Sequence, residues 1–195
     1  MLGKGCDKPV ESCMQFGVAA ESVVQTGRGR AISQEEALVI LRRAEETGLV
    51  LQPANAKDPL FICACCGCCC GVLRGLKRFP APAKIVASPF LASHNADTCK
   101  GCGLCTQRCQ MEAFHLDNKK AILNPDRCIG CGLCVSTCPT QSLSLVRKPK
   151  EEQPYVPKDI IETSIKLGKA RGKLGVGKMI RMQVKSKIDR LLASE

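Results

Sequence analysis

The chain has 195 residues, 3% of them aromatic and none tryptophan, which excludes one large apolar core and allows one or two small domains whose interior something else must supplement. Its sixteen cysteines cluster at short spacings instead of spreading out as staples, which argues against a disulfide scaffold and for a reducing, cytoplasmic and anaerobic setting. The formal charge of +11 sits mostly in residues 147–195, and no apolar run reaches the length that spans a bilayer.

Residues 1–59 read as a helical platform. Pro9 opens and Gly27 closes a stretch, 9–26, in which Val10, Cys13, Met14, Gly17, Ala20, Val23 and Val24 recur at roughly helical spacing. Cys6 and Cys13 near its start read as free buried thiols or as ligands for something else. Ser33 and Glu36 form a capping box for a second helix, with Ala37, Leu38, Leu41 and Ala44 on its apolar face and Gly48 as its stop. The net charge of −1 over residues 1–62 argues against a winged-helix reader of nucleic acid.

Residues 60–96 form a Cys-rich segment and linker. Cys63, Cys66 and Cys69 make one C-x2-C-x2-C ladder and Cys65 with Cys68 an interleaved C-x2-C, so the stretch, which also holds Cys70, can present thiolates in two directions at once. These six residues are a candidate third metal site beyond the two described below. Together with Cys6 and Cys13 they are numerically enough for two further cubanes or one larger cluster; zinc, another soft metal, redox-active thiols or passive packing are the alternatives. Leu60-Phe61-Ile62 reads as a strand, and Gly71 to Phe79 as a short basic helix stopped by Pro80. Its Arg74, Lys77 and Arg78 are expected to favour thiolate in the neighbouring cysteines. Pro80-Ala81-Pro82-Ala83 is a stiff linker, and residues 84–93 alternate as a strand should.

Residues 97–146 carry the most specific signal. Cys99, Cys102, Cys105 and Cys109, then Cys128, Cys131, Cys134 and Cys138, repeat C-x2-C-x2-C-x3-C within forty residues. Three thiolates on a tight loop can wrap three corners of a 4Fe-4S cubane and leave the fourth to a distant residue, whereas paired structural zinc sites, the alternative, do not call for the three-residue final gap. Gly101, Gly103, Gly130 and Gly132 are expected where backbone must approach the inorganic sulfides. Phe114 to Leu116 and Ala121 to Leu123 read as a hairpin, with 142–146 as the closing strand.

This repeat closely resembles the bacterial dicluster ferredoxin family. The resemblance implies an α+β fold whose ferredoxin-like module has two pseudo-symmetric halves, flanked here by an N-terminal helical segment and a C-terminal basic helical tail. It also implies that the fourth cysteine of each run serves the other cluster. Cys99, Cys102, Cys105 and Cys138 would then hold the first cluster, and Cys128, Cys131, Cys134 and Cys109 the second. Leu104, Phe114, Ile122, Ile129, Leu133, Leu143 and Leu145 would shield them, while His94 and His115 read as exposed residues because cysteine fills every corner. The second run ends Cys138-Pro139 as the family does; the first ends Cys109-Gln110, for which only a local shift of order or potential is expected. The segment from Pro59 onward resembles, less specifically, longer multi-cluster iron-sulfur proteins of anaerobes. The opening looks like an internal piece of such a protein, which leaves a start farther upstream open.

Residues 147–195 are a linker followed by a basic amphipathic tail, with Ile180, Val184, Ile188 and Leu191 as its stripe and Gly168, Gly172, Gly175 and Gly177 weakening its middle. Such a tail can bind its own domain, an acidic partner or a membrane surface. Gly172 to Lys178 fits G-x4-G-K, but Met179 stands where a phosphate loop needs Ser or Thr. The function expected is one-electron transfer through two 4Fe-4S clusters and, at Cys63–Cys70, an additional one, to a redox partner with an acidic docking surface; nucleic acid is not expected as a partner. The alternative is a redox-enzyme subunit in which Cys63–Cys70 hold a catalytic cluster or dithiol of disulfide-reductase type.

Overall fold

The computed structural model describes residues 5–173 and 175–192, without the side chains of Val176, Lys178, Met179, Met182 and Leu191. Residues 1–4, Leu174 within the G-x4-G-K motif and the side chains of Lys178 and Met179 at its end and of Leu191 in the stripe therefore lie outside the description. The fold mixes helix and sheet, and the chain divides into two compact units: Met1–Ala54 with Leu60–Tyr155, and Asn55–Pro59 with Val156–Glu195.

The larger unit opens with β1 (Met14–Gln15), α1 (Gly17–Gln25), α2 (Gln34–Glu46) and β2 (Val50–Pro53). The expected helix over 9–26 thus forms only in its second half. Met14 and Gln15 are instead drawn into pairing with Ile62 and Phe61 of β3 (Phe61–Cys65), and Gly17, at φ +53, turns the chain into α1. The Ser33 hydroxyl caps α2 by accepting from the Glu36 N–H at 3.2 Å. The reciprocal half of the box is altered, because the Glu36 carboxylate pairs with Arg30. β3 is central in the antiparallel order β1-β3-β2, with Gln52 opposite Cys63 and Val50 opposite Cys65. A turn leads from it into α3 (Gly71–Lys77).

Two small antiparallel sheets follow. β4 (Phe90–His94) pairs with β7 (Leu143–Arg147), and β5 (Phe114–Asp117) with β6 (Lys120–Leu123) across Asn118 and Lys119, both at positive φ as a type I′ turn requires. The strand expected from residue 84 begins only at Phe90, since Pro82 starts a single 3-10 turn and Pro89 precedes the first paired residue. The short helices α4 (Leu104–Arg108) and α5 (Leu133–Ser136) each follow a cysteine loop and begin after a left-handed glycine, Gly103 or Gly132.

Among the described residues three apolar groups hold this unit together. Ala92, Ala113, Phe114, Ala121 and Leu143 pack among the cysteines of the two sheets. Ala44, Leu49 and Ala64 pack between α2 and β3. Val50, Leu73, Met111, Ile129 and Leu133 join α3 and β2 to the cysteine loops, with Leu73 wholly buried. Polar struts reinforce the last junction. Arg108 donates to the Glu46 carbonyl at 2.8 Å and to that of Glu45, covering the exposed end of α2, and Arg127 reaches the carbonyls of Met111, Phe79 and Lys77 at 2.9, 3.4 and 3.4 Å.

In the smaller unit α6 (Ile160–Ala170) is capped by Asp159, whose carboxylate accepts from the Glu162 N–H at 2.8 Å, and residues 57 and 58 donate backbone bonds to Pro157 and Lys158. Gly172, at φ +63, separates α6 from α7 (Val176–Leu192), on which Ile180, Val184 and Ile188 are exposed. No helix among the described residues is long and apolar enough to cross a membrane.

Candidate metal centres

Each of two cavities collects four thiols, three from one run and the fourth from the other. Cys99, Cys102, Cys105 and Cys138 surround the first, with His94, Thr140, Ser142 and Leu143 between them. Cys128, Cys131, Cys134 and Cys109 surround the second, whose remaining wall is Met111, Phe114, Ile129 and Leu133 together with small residues.

Local geometry explains the gathering. Gly101 and Gly130 both sit at φ +67, and a Cβ there would lie 2.0 Å from the Lys119 carbonyl oxygen in one loop and 2.2 Å from that of Phe90 in the other. The close approach at these glycines is therefore to a neighbouring strand or hairpin, which presses each loop around its cavity. Gly103 and Gly132, at φ +76 and +80, supply only the left-handed turn into α4 and α5.

The polar surroundings differ between the cavities. In the first, N–H groups of Ala121 and Gly101 hold the Cys99 thiol below its ordinary range. Burial works against Cys138, yet Ser142 at 3.1 Å and Thr140 at 3.6 Å outweigh it and bring its thiol to about 7. Lys120 donates to the carbonyls of Ala96 and Cys99, both at 2.7 Å, which fixes a cation beside the loop. In the second cavity burial pushes Cys134 up to about 12, with the thiols of Cys131, Cys128 and Cys109 adding to the cost of a negative charge. Its sulfur contacts are backbone donors, Ala113 N–H to Cys109 at 3.2 Å and Ala92 N–H to Cys128 at 3.5 Å. Burial that penalises a negative charge at Cys134 fits a site in which iron supplies the compensating positive charge, and the N–H groups aimed at sulfur suit a cluster's thiolates.

Of the expected shielding residues, Phe114, Ile129, Leu133 and Leu143 are buried around the cavities and Leu104 lines the first at the surface. Ile122 faces outward, since strand alternation turns Ala121 inward, and Leu145 lies over Gly132 at the surface. His115 is exposed as expected, but His94 is half-buried on the wall of the first cavity, and no described partner meets its Nε2.

The upstream cysteines are divided by β3. Strand alternation sends Cys63 and Cys65 to one face and Ala64 to the other, so the Cys63-Cys66-Cys69 ladder suggested by spacing is not collected at one point. Cys66, Cys68 and Cys69 leave the strand through a turn and meet Cys6, all four sulfurs lying within 4.8 Å of one another. Burial acts against Cys66, but thiol and backbone donors around it, Cys68 first, lower it to about 6. On the other face burial pushes the Cys63 thiol up, with Cys13, next in register after the Met14–Ile62 pair, as the next cause, and Cys70, the residue that precedes α3, stands in the same relation to Cys65. Burial pushes Cys65 up to about 12, with Cys70 as the next cause. Lys77, expected to serve these thiols, is engaged with Glu112 at 3.0 Å.

Several contributors carry no motif. Gln110, where the family pattern has proline, accepts from the Gly67 N–H at 2.8 Å and donates to the Gly48 carbonyl at 2.9 Å, tying the cysteine turn to the first run. Cys6 and Cys13, read as free buried thiols or as ligands for something else, are both exposed because they sit at the edge of β3 and its turn, and Ser142 and Thr140 had no signal in the sequence.

The family model described as a 4Fe-4S dicluster domain matches residues 92–145, and no curated protein matches the chain. Residues 92–145 are a ferredoxin-type iron-sulfur domain with two 4Fe-4S clusters and an electron-transfer role.

Proposed function

We propose that the protein carries single electrons through three 4Fe-4S clusters. Cys99, Cys102, Cys105 and Cys138 hold the first, Cys128, Cys131, Cys134 and Cys109 the second, in a ferredoxin-like arrangement of two related halves, and Cys13, Cys63, Cys65 and Cys70 the third. When bound, each cluster supplies one reversible electron with little change of geometry. The chain's part is to exclude water, to donate to sulfur and to set the separation of the sites. The observation that carries this reading is the exchange of the fourth cysteine between the two cavities, which ties the pair into one rigid relay.

The third cluster is supported by the register that brings Cys13 beside Cys63, by the shared face of Cys63 and Cys65, and by the influence of Cys70 on the Cys65 thiol. Cys65, Cys70 and Cys109 also pack against the same apolar group of Val50, Leu73, Met111, Ile129 and Leu133, which supports a third site close to the second. Iron and acid-labile sulfide, measured after anaerobic reconstitution, should come to about twelve of each per chain and fall to about eight in Cys63→Ser/Cys65→Ser. About eight in the unaltered chain would remove the third cluster, and fewer than eight the whole reading.

Docking is assigned to the basic tail and an acidic redox partner. Deletion of residues 158–195 should flatten the salt dependence of electron transfer to an acidic acceptor, and an unchanged slope would separate the tail from docking.

A further inference from the structure

We propose that Cys6, Cys66, Cys68 and Cys69 bind one tetrahedral soft divalent ion, zinc or mononuclear iron, apart from every cluster in the chain. The inference rests on sulfur spacing. Cys6 and Cys66 are 3.7 Å apart, Cys66 and Cys68 3.1 Å, and Cys68 and Cys69 3.7 Å, with all four inside 4.8 Å. A tetrahedral ion with metal–sulfur bonds of about 2.3 Å has sulfur–sulfur edges of about 3.8 Å. In a cubane each thiolate binds a different iron at a different corner, so its four sulfurs stand farther apart than four on a single ion. This quartet is too tight for the second arrangement and has the dimensions of the first.

The ligand order points the same way. Cys66-x2-Cys69 is a knuckle spacing, with Cys68 inside the same turn and the fourth thiolate brought from 60 residues away by Cys6. Gly67, inside the knuckle, is clamped by Gln110, so the turn is held before any ion arrives. Cys66 is buried and packs beside Ala64 and Leu49, whereas Cys6 and Cys68 lie at the surface where an ion can enter. The site would thus fasten the N-terminal segment to the turn that carries three of the six clustered cysteines, and ion binding would be coupled to that local folding.

Cobalt(II) tests this in the full chain, after anaerobic reconstitution of its iron-sulfur clusters and removal of loosely held metal. One equivalent should bind and give the intense visible ligand-field bands of tetrahedral cobalt thiolate. Zinc should displace it, while iron and sulfide stay constant. Cys6→Ser should weaken cobalt binding by at least about 100-fold, since loss of a ligand exceeds the cost of losing one of its outer-shell partners, with cluster iron and sulfide unchanged. Cys13→Ser should leave it intact. Metal analysis of the protein as isolated separates the two natural ions: one zinc per chain, or one iron beyond the number matched by sulfide. Absence of a tetrahedral cobalt spectrum, unaltered binding in Cys6→Ser, or loss of about four irons with four sulfides in Cys68→Ser/Cys69→Ser would overturn the proposal. Because the readout is cobalt and not cluster iron, it can fail while the electron-transfer reading stands, and the reverse.

Discussion

Replacing Gly130 by alanine puts the loop geometry to a quantitative test. The new Cβ would lie 2.2 Å from the Phe90 carbonyl oxygen, 2.7 Å from the Ser88 hydroxyl and 2.8 Å from the Phe90 carbonyl carbon, where ordinary contact begins at 3.4 Å. Strand β4 would have to retreat by about 1.2 Å, the difference between those limits. It is poorly able to do so, because it is paired with β7 from Phe90 to His94 and Ala92 donates to the Cys128 sulfur. The left-handed backbone adds about 1–2 kcal/mol for a residue with a Cβ, and forced overpacking about 1–3 kcal/mol, so Gly130→Ala should cost roughly 2–5 kcal/mol. Gly132→Ala, at φ +80 but with its nearest neighbour Leu145 Cδ2 at 3.7 Å, keeps only the backbone share, about 1–2 kcal/mol. Gly71→Ala, with open space and no positive φ, should be neutral or stabilising by about 0.4–1 kcal/mol. Anaerobic guanidinium unfolding, followed by loss of cluster absorbance and by circular dichroism, ranks the three variants by midpoint. If Gly130→Ala unfolds no earlier than Gly132→Ala, the close approach of β4 to the loop is wrong, and with it the account of how the second cavity is formed. The symmetric pair, Gly101→Ala against Gly103→Ala, gives an independent repeat around the first cavity.

Four other outcomes follow from the same contacts. Ser142→Ala removes the 3.1 Å contact to the Cys138 sulfur and should lower the reduction potential of one cluster while leaving the other in place; two unchanged potentials in an anaerobic redox titration would refute the role of that donor. Gln110→Ala loses two hydrogen bonds that join Gly48 and Gly67, a cost of about 1–3 kcal/mol, and hydrogen exchange should accelerate at residues 66–70 before it does in β4. Leu73→Ala, at a fully buried position, should destabilise by about 2–5 kcal/mol in the same unfolding assay. The Lys77 ammonium beside Glu112 holds that carboxyl below its usual range, so the pair's contribution is complete above the unfolded carboxylate range and is lost as pH falls through the lowered folded value. Solvent exposure keeps it under about 1 kcal/mol, so Glu112→Gln should shift the neutral-pH urea-unfolding midpoint slightly at low salt and not at 1 M salt.

What could be read directly was whatever depends on spacing along the chain. The two C-x2-C-x2-C-x3-C runs, the Ser33 cap and the hairpin around Asn118-Lys119 are short-range constraints, complete within a few residues, and the sequence alone indicated each of them. The iron-sulfur chemistry of residues 92–145 belongs to this class, because cysteine at those intervals has few other uses.

What sequence left undecided was set by strand pairing and distant contacts. A C-x2-C interval reads the same on a loop and across the end of a strand, but on a strand it reverses the face, and only the formation of β3 from Phe61 to Cys65 separates Cys63 and Cys65 from Cys66. The pairing of Met14 with Ile62 overrode a helical pattern before Gly17 and carried Cys13 to one face, while Cys6 met the turn on the other. By itself, then, the sequence determined that eight cysteines have the spacing of two clusters and left the use of the other eight open. Tertiary structure decided how the second eight divide, because backbone pairing over nearly 50 residues, which leaves no periodic trace, chooses which thiols can meet.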